Sequence, residues 1–72
     1  MEYFERLKQT REDLDISQTS AAKAIGTTQQ QLYKYENGLQ EMTVSRLQKL
    51  CELYQVSADY ILGISKDYKW PR

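Results

Sequence analysis

Two short helices that meet at a single glycine constrain this chain more than any other feature of its sequence. Ser17 is a favourable N-cap for the first helix, whose apolar positions are Ala21, Ala22 and Ile25. Gly26 can end that helix because glycine adopts a positive φ at little cost. The sequence therefore predicts a helix that starts near residue 17 and stops at a tight turn.

A second helix follows this turn almost at once. Thr28 can cap it, Leu32 and Tyr35 form an inward i, i+3 pair, and Gly38 closes it. Its exposed first turn is built of amide side chains, those of Gln29, Gln30 and Gln31. Residues 17–38 are therefore predicted to form a helix-turn-helix.

Helical patterns also occupy the rest of the chain. A stripe at Phe4, Leu7, Arg11 and Leu14 predicts a helix over residues 2–14, in which the charged Arg11 needs a partner. Thr43 caps a further helix, and Ser57 caps a short last one that Gly63 ends. The apolar residues expected to be buried on these two helices are Val44, Leu47, Leu50, Cys51, Tyr54, Ile61 and Leu62. We expect an all-α domain of five helices over residues 1–64, followed by a C-terminal tail over residues 65–72.

The composition excludes most enzyme chemistry. Seventy-two residues make one small domain, and one cysteine with no histidine excludes an internal disulfide, a His/Cys zinc cluster and a Ser-His or Cys-His nucleophile pair. No glycine loop that could cradle phosphate is present, so we predict that the protein is not an enzyme and binds no cofactor and no metal. Cys51 is expected to be a buried, inert thiol. The lack of an 18-residue apolar span and of a signal sequence predicts a cytoplasmic protein with no membrane partner.

The charge distribution bears on the choice of partner. The formal net charge is zero, which disfavours nucleic-acid binding, since such proteins usually carry a basic surface. However, residues 16–38 sum to +1 and residues 65–72 to +2, whereas residues 1–15 and 39–64 sum to −2 and −1. The helix pair and the tail are thus the positive parts of the chain, and internal pairing of Glu36 would make the surface of the helix pair more basic.

Residues 3–63 resemble the Cro/cI-like helix-turn-helix regulators, a large bacterial and phage family of DNA-binding repressor domains. The run Gly26-Thr27-Thr28-Gln29-Gln30 with Glu36-Asn37-Gly38 is similar to the recognition segment of lambdoid phage repressors. The other matching parts are Ser17-Gln18, Ala22, Ile25, Tyr35 and the ending Val56-Ser57-Ala58-Asp59-Tyr60-Ile61-Leu62-Gly63. The resemblance implies a bacterial or phage-encoded protein that binds double-stranded DNA.

The resemblance also implies which residues read the bases. The helix at about 28–36 would lie in the major groove, with Gln29 and Gln30 at base-reading positions, where a glutamine amide can pair with N6 and N7 of adenine. Lys34, one turn further along, would reach a guanine edge or a phosphate. Gln31 points away from this face. The alternative is that these glutamines simply fill a solvated helix face, since glutamine is a good helix former.

A second set of residues is expected to contact the DNA backbone. The resemblance implies that Gln18 holds a phosphate and that the Asn37-Gly38 turn, with free backbone N–H groups, docks on phosphate. The further backbone contacts predicted are Ser17, Thr28 and Tyr33, and for Thr28 and Tyr33 the alternative contact is a thymine methyl. The chain departs from the family at Leu39-Gln40-Glu41, where related proteins often have basic residues, and at Gln55, where they commonly have glycine.

Arg11 and Glu36 match the positions of a structural ion pair in the family. The alternative is that Arg11 contacts DNA, but its place on an apolar stripe favours a pair between the first and third helices.

The leading functional hypothesis is a sequence-specific DNA-binding transcriptional regulator, with repression as the expected sign. A single domain of this size contacts few base pairs, so a homodimer on a palindromic operator is expected, formed through residues 59–70. No small-molecule effector is evident. The apolar and basic end from Tyr68 to Arg72 can fold back on the domain, join the dimer or remain a disordered tail. The alternative function is a protein-interaction module, an antitoxin or adaptor, that uses the same fold without specific DNA binding.

Overall fold

The computed structural model describes residues 1–67 and residue 69, which form five α-helices joined by short connections. These helices are α1 (Tyr3–Asp13), α2 (Gln18–Ala24), α3 (Gln29–Glu36), α4 (Val44–Tyr54) and α5 (Ala58–Ile61). Within this part of the chain, strand-like pairing is limited to one isolated antiparallel bridge between Val56 and Lys69. The predicted five-helix, all-α fold is confirmed.

Side-chain caps set the starts of the helices. Each of the predicted N-caps accepts a hydrogen bond from the backbone N–H three residues further on, and these caps are Ser17, Thr28, Thr43 and Ser57. The first helix begins instead with a capping box, in which the backbone N–H of Glu2 donates to Glu5 at 2.8 Å. Local sequence therefore fixes where each helix begins.

Two glycines let the chain turn at the ends of α2 and α3. Gly26 and Gly38 have φ values of 77° and 70°, in the left-handed region that residues with a Cβ avoid. A Cβ on Gly38 would lie 2.6 Å from Cζ of Phe4 in α1, whereas a Cβ on Gly26 would meet nothing within 4 Å. The turn after α3 is therefore packed tightly against α1, and the turn between α2 and α3 is open.

The core lies where the five helices meet. α2 packs against α3 and α4, α3 also packs against α1, and α5 joins α1 and α4. The buried apolar side chains come from every helix and from the connections after α2 and α4: Leu7, Ala21, Ala22, Ile25, Leu32, Tyr35, Leu50, Cys51, Tyr54, Val56 and Ile61. Burial raises the pKa of the Cys51 thiol to about 11, which keeps it in the unreactive protonated form at neutral pH.

Three apolar residues that we expected to be buried are exposed. Val44 is 80% exposed, and Leu14 and Leu62 are 48% and 47% exposed. Val44 is the first residue of α4, and Leu14 and Leu62 are the C-caps of α1 and α5. At each of these three helix ends, the last apolar residue of the stripe thus lies beyond the part that neighbouring helices cover.

The chain after α5 returns to the domain. The hydroxyl of Ser57, which also caps α5, donates to the carbonyl oxygen of Asp67 at 2.7 Å, and Lys69 pairs with Val56. The described part of the C-terminal segment therefore lies against the connection between α4 and α5. The expectations for Tyr68 and for residues 70–72 lie outside the described residues, and the domain boundary at residue 64 stays a prediction.

Candidate nucleic-acid interface

The outward face of α3 carries a row of exposed polar side chains. Leu32, Tyr35 and Glu36 are buried on the opposite side of the helix, and their burial fixes which way the helix faces. The exposed side chains are Gln29, Gln30, Tyr33 and Lys34. Together with Leu39, they line a shallow open hollow. The structure therefore gathers all three predicted base-reading residues on one surface.

Gln31 lies beside this surface rather than on it. Its side chain is partly buried, and its amide nitrogen donates to Oε1 of Gln40 at 2.8 Å. This contact holds Gln31 toward the connection after α3, in the direction that its position in the helix predicts.

The hydroxyls of Ser17 and Thr28 act as N-caps. Thr28 Oγ1 accepts from the backbone N–H of Gln31 at 3.1 Å, and Ser17 Oγ accepts from that of Ser20 at 3.0 Å. Ser17 also donates to the hydroxyl of Ser20 at 2.9 Å. Two of the predicted backbone-contacting hydroxyls, those of Ser17 and Thr28, thus stand at helix starts. Among the described residues the hydroxyl hydrogen of Thr28 has no acceptor, so it can donate to an outside group.

Gln18 links the two helices of the motif. Its amide nitrogen donates to Oε1 of Glu36 at 2.9 Å, and its carbonyl oxygen accepts a hydrogen bond from the amide nitrogen of Gln29. The structure therefore joins the residue predicted to hold a phosphate to the first residue predicted to read a base. Among the described residues the second N–H of the Gln18 amide has no acceptor, so it can donate to an outside group.

The turn after α3 differs from expectation. The backbone N–H of Asn37 donates to the carbonyl of Tyr33 at 3.1 Å, and that of Gly38 donates to Tyr35 at 3.2 Å. The side-chain amide of Asn37 also donates to Tyr33, at 2.9 Å. The prediction that this turn offers free backbone N–H groups is therefore wrong, because the N–H groups of Asn37 and Gly38 satisfy the last carbonyls of α3.

Glu36 and Arg11 form a buried ion pair between α3 and α1. Nε and Nη2 of Arg11 donate to Oε2 and Oε1 of Glu36 at 2.8 and 3.1 Å, and the two side chains are 10% and 1% exposed. Nη1 of Arg11 also donates to the carbonyl of Ile16 at 2.8 Å. The hydrogen bond with Glu36 raises the pKa of Arg11. The carboxylate of Glu36 therefore adds no exposed negative charge to the outward face of α3.

The hydroxyl of Tyr54 lies in the same interior region. It is buried and has no hydrogen-bond partner among the described residues. Burial raises the pKa of Tyr54, and the negative charge of Glu36 raises it further. The phenol therefore stays neutral beside the ion pair.

Sequence reasoning did not foresee four side-chain contacts around the site. The contacts of Gln18 with Glu36 and with Gln29 were missed, as was that between Gln31 and Gln40. Arg46 donates to the hydroxyl of Tyr35 at 2.7 Å, with its guanidinium 5.9 Å from the ring centre. The available signal was a long polar side chain near the start or end of a helix, but spacing along the chain does not reveal which two such side chains meet.

Comparison with known proteins identifies the class to which this fold and surface belong. A helix-turn-helix family model matches residues 7–61, and the chain belongs to this family. No helix among the described residues is long and apolar enough to cross a membrane. The expected family resemblance is confirmed.

The relatives with curated names are transcriptional regulators, not enzymes. An uncharacterized HTH-type transcriptional regulator, y4wC of Sinorhizobium fredii, is 39% identical over 78% of this chain and 39% of its own length. The HTH-type transcriptional regulator ImmR of Bacillus subtilis is 35% identical over 88% of this chain and 50% of its own. An uncharacterized transcriptional regulator in the ATPase CF(0) region of Rhodospirillum rubrum is 32% identical over 94% and 68%. The chain thus spans about 40 to 70% of the length of these relatives.

A solved structure supports the more specific resemblance to lambdoid phage repressors. The P22 c2 repressor, crystallised in complex with the synthetic operator 9T, superposes with a TM-score of 0.81. The match covers 90% of this chain and 98% of the repressor chain at 26% sequence identity. The arrangement of helices that presents the exposed face of α3 is therefore shared with a repressor solved on DNA.

Proposed function

We propose that this protein is a sequence-specific double-stranded DNA-binding transcriptional regulator that acts as a repressor. The observation that carries the proposal is the exposed amide pair, Gln29 and Gln30, at the start of α3, with Lys34 one turn further on the same surface. Glutamine side chains at the N-terminal end of a helix suit the major groove, where adenine offers one donor and one acceptor side by side. The repressor structure solved on its operator supports this orientation.

The surrounding polar groups suit contacts with the sugar-phosphate backbone. Gln18 retains one amide N–H, Thr28 retains its hydroxyl hydrogen, and Tyr33 stands exposed beside Gln29. Ser17 is less suited to a phosphate contact, because its hydroxyl hydrogen is donated to Ser20. At Asn37 and Gly38 a phosphate contact would fall to the second amide hydrogen of Asn37, since both backbone N–H groups are used.

We further propose that the protein binds a palindromic operator as a homodimer in the cytoplasm, without a small-molecule effector. One α3 covers few base pairs, so two copies with half-sites about 34–36 Å apart would provide the required affinity. Residues 59–70 are the proposed contact between copies, and the exposed side chains of Leu62 and Ile64 lie within them. Sedimentation equilibrium with and without operator would show a dimer on DNA, and a monomer in both conditions would refute this assembly.

Selection of bound duplexes from a random DNA pool, at roughly physiological salt, tests the function. We expect an adenine-containing inverted repeat that a Gln29→Ala/Gln30→Ala variant no longer selects. Gln48→Ala is the matched control, because Gln48 is an exposed glutamine on α4. Failure to select any motif, at low salt as well, would refute sequence-specific binding.

A second candidate function is a protein-interaction module of the antitoxin or adaptor kind. It is favoured by the zero net charge and by the connection after α3, where Leu39 is 68% exposed and is followed by Gln40 and Glu41 instead of basic residues. Such a module would not bind bulk DNA in a salt-dependent way. Retention on heparin or DNA that falls as salt rises would exclude it.

A further inference from the structure

A chain of hydrogen bonds runs from the buried ion pair to the first residue of α3. Arg11 donates twice to Glu36, Gln18 donates to Glu36 at 2.9 Å, and Gln29 donates to Gln18. This series of hydrogen bonds begins on the carboxylate of Glu36, which is 1% exposed, and ends on the exposed amide of Gln29 at the proposed DNA surface. It therefore connects an interior charge to a side chain that would touch a base.

The charge at the buried end sets the direction of every hydrogen bond in this chain. A carboxylate has only acceptor oxygens, so the amide of Gln18 must turn its NH₂ group toward Glu36. Its carbonyl oxygen then faces Gln29, which must in turn present its own NH₂ group to Gln18. A glutamine amide has two orientations that differ by exchange of oxygen and nitrogen, and the carboxylate selects one of them at both glutamines.

The selected orientation leaves Gln29 with a carbonyl oxygen and one N–H for an outside partner. Adenine offers the N6 donor and the N7 acceptor in the major groove, and this combination satisfies both groups of Gln29. Guanine offers two acceptors, O6 and N7, so the carbonyl oxygen of Gln29 would face O6 without a hydrogen between them. The orientation thus favours adenine over guanine.

We propose that Glu36 is a positioning residue that orients the base-reading amide of Gln29 through Gln18, and so sets the preference for adenine at that base. The proposal rests on the proposed function, which it deepens. Glu36 suits the role because two hydrogen bonds from Arg11 hold its carboxylate in a fixed place in the core. Gln30 provides a contrast, because its side chain makes no hydrogen bond within residues 1–67 and 69, so its amide can turn freely.

The test compares the dissociation constants for two operators that carry adenine or guanine at the base pair read by Gln29. That pair is the one whose preference disappears in Gln29→Ala. For the unaltered protein we expect the adenine operator to bind about 5- to 150-fold more tightly. The base pair read by Gln30, measured in the same way, is the internal control.

Two variants separate positioning from stability. Arg11→Met leaves the carboxylate of Glu36 buried without its partner, so it is expected to melt at a lower temperature, and it shows how much stability the double variant recovers. Arg11→Met/Glu36→Leu replaces the ion pair by apolar side chains, which often restores stability. In this double variant we expect the adenine-to-guanine ratio at the Gln29 position to fall to within about threefold, with no change at the Gln30 position. A merely structural role for Glu36 would not pair recovered stability with lost preference.

Gln18→Met provides an independent variant, because it removes the middle of the chain and leaves the ion pair intact. We expect the same loss of preference, and any lost phosphate contact would weaken both operators equally. If the double variant does not fold, Gln18→Met decides the test, because it leaves the pair of Arg11 and Glu36 in place.

The outcomes distinguish this inference from the proposed function. A full adenine preference in a folded Arg11→Met/Glu36→Leu variant, or in Gln18→Met, would overturn the positioning role while leaving DNA binding in place. An unaltered protein without any base preference would instead refute the proposed function itself.

Discussion

The inner and outer faces of α3 differ in how far they are packed against the rest of the molecule. On the inner face, Leu32 and Tyr35 are buried in the core, and a change there alters the packing of several helices. On the outer face, Gln30 and Lys34 are exposed and Tyr33 is 49% exposed, so a change there removes no buried side chain. In this eight-residue helix the inner face contributes to stability and the outer face is the proposed DNA-reading surface. The outer face can therefore vary while the fold stays the same.

Glu36 is the exception to this separation. It belongs to the buried face through its pair with Arg11, yet its second contact leads through Gln18 to the outer face. The inner face thus holds the helix in place and, through this one residue, would also determine which atoms the outer face presents.

The largest difference between the two faces is expected in stability. Leu32→Ala removes a fully buried side chain and should lower the free energy of unfolding by about 2–5 kcal/mol. Gln30→Ala, on the outer face, should change it by less than about 0.5 kcal/mol. Urea unfolding of both variants checks the pair, and a similar loss in the two would contradict the separation of the faces.

The two glycines that bound the motif give the next largest difference. Gly26→Ala places a Cβ at a positive φ but in open space, so the cost should be about 1–2 kcal/mol. Gly38→Ala carries the same backbone strain and also drives a Cβ against Phe4, which should add about 1–3 kcal/mol. Thermal unfolding should rank Gly38→Ala as clearly the less stable variant. Equal melting temperatures would mean that Phe4 moves aside without cost.

Local signals were sufficient to predict the helices from the sequence. The N-caps Ser17, Thr28, Thr43 and Ser57 and the stops at Gly26 and Gly38 act over three or four residues, so the sequence contains all that is needed to locate them. Exposure at helix ends was not predictable in this way. Val44, the first residue of α4, lies on an apolar stripe, but whether a stripe is covered at its end depends on how far the neighbouring helix extends.

Sequence reasoning could propose which side chains share the outer face of α3, but not which side chains they contact. Spacing places Gln30 and Lys34 one turn apart on the same face, and Gln29 was added by the resemblance to the family. The contact of Gln18 with Glu36 depends on how α2 crosses α3, which side-chain spacing does not specify. The turn at Gly38 was misjudged for a local reason, because the N–H groups of Asn37 and Gly38 are used by the last carbonyls of α3 rather than left for a ligand.

Substitution of Lys34 tests whether this side chain of the outer face contacts a base or the DNA backbone. In Lys34→Met we expect the preference for guanine at one base pair to fall by about 1–3 kcal/mol, because the lysine ammonium would donate to guanine O6 or N7. Dissociation constants for operators altered at that base pair provide the measurement. An equal loss for every operator, with a salt dependence weaker by about one unit of slope, would reassign Lys34 to a phosphate.

The smallest effect is expected for two N-caps that make the same kind of hydrogen bond, one at the start of α3 and one at the start of α4. Thr28 and Thr43 each accept one backbone hydrogen bond, from Gln31 at 3.1 Å and from Arg46 at 3.2 Å. Replacing either by alanine should lower the free energy of unfolding by about 1 kcal/mol. Thr28→Ala should also weaken operator binding, since Thr28 precedes Gln29 and its hydroxyl hydrogen is free for phosphate, whereas Thr43→Ala should leave the affinity of the folded protein unchanged. Equal affinities for the two variants would mean that the hydroxyl of Thr28 serves only as a cap, and would remove it from the proposed DNA surface.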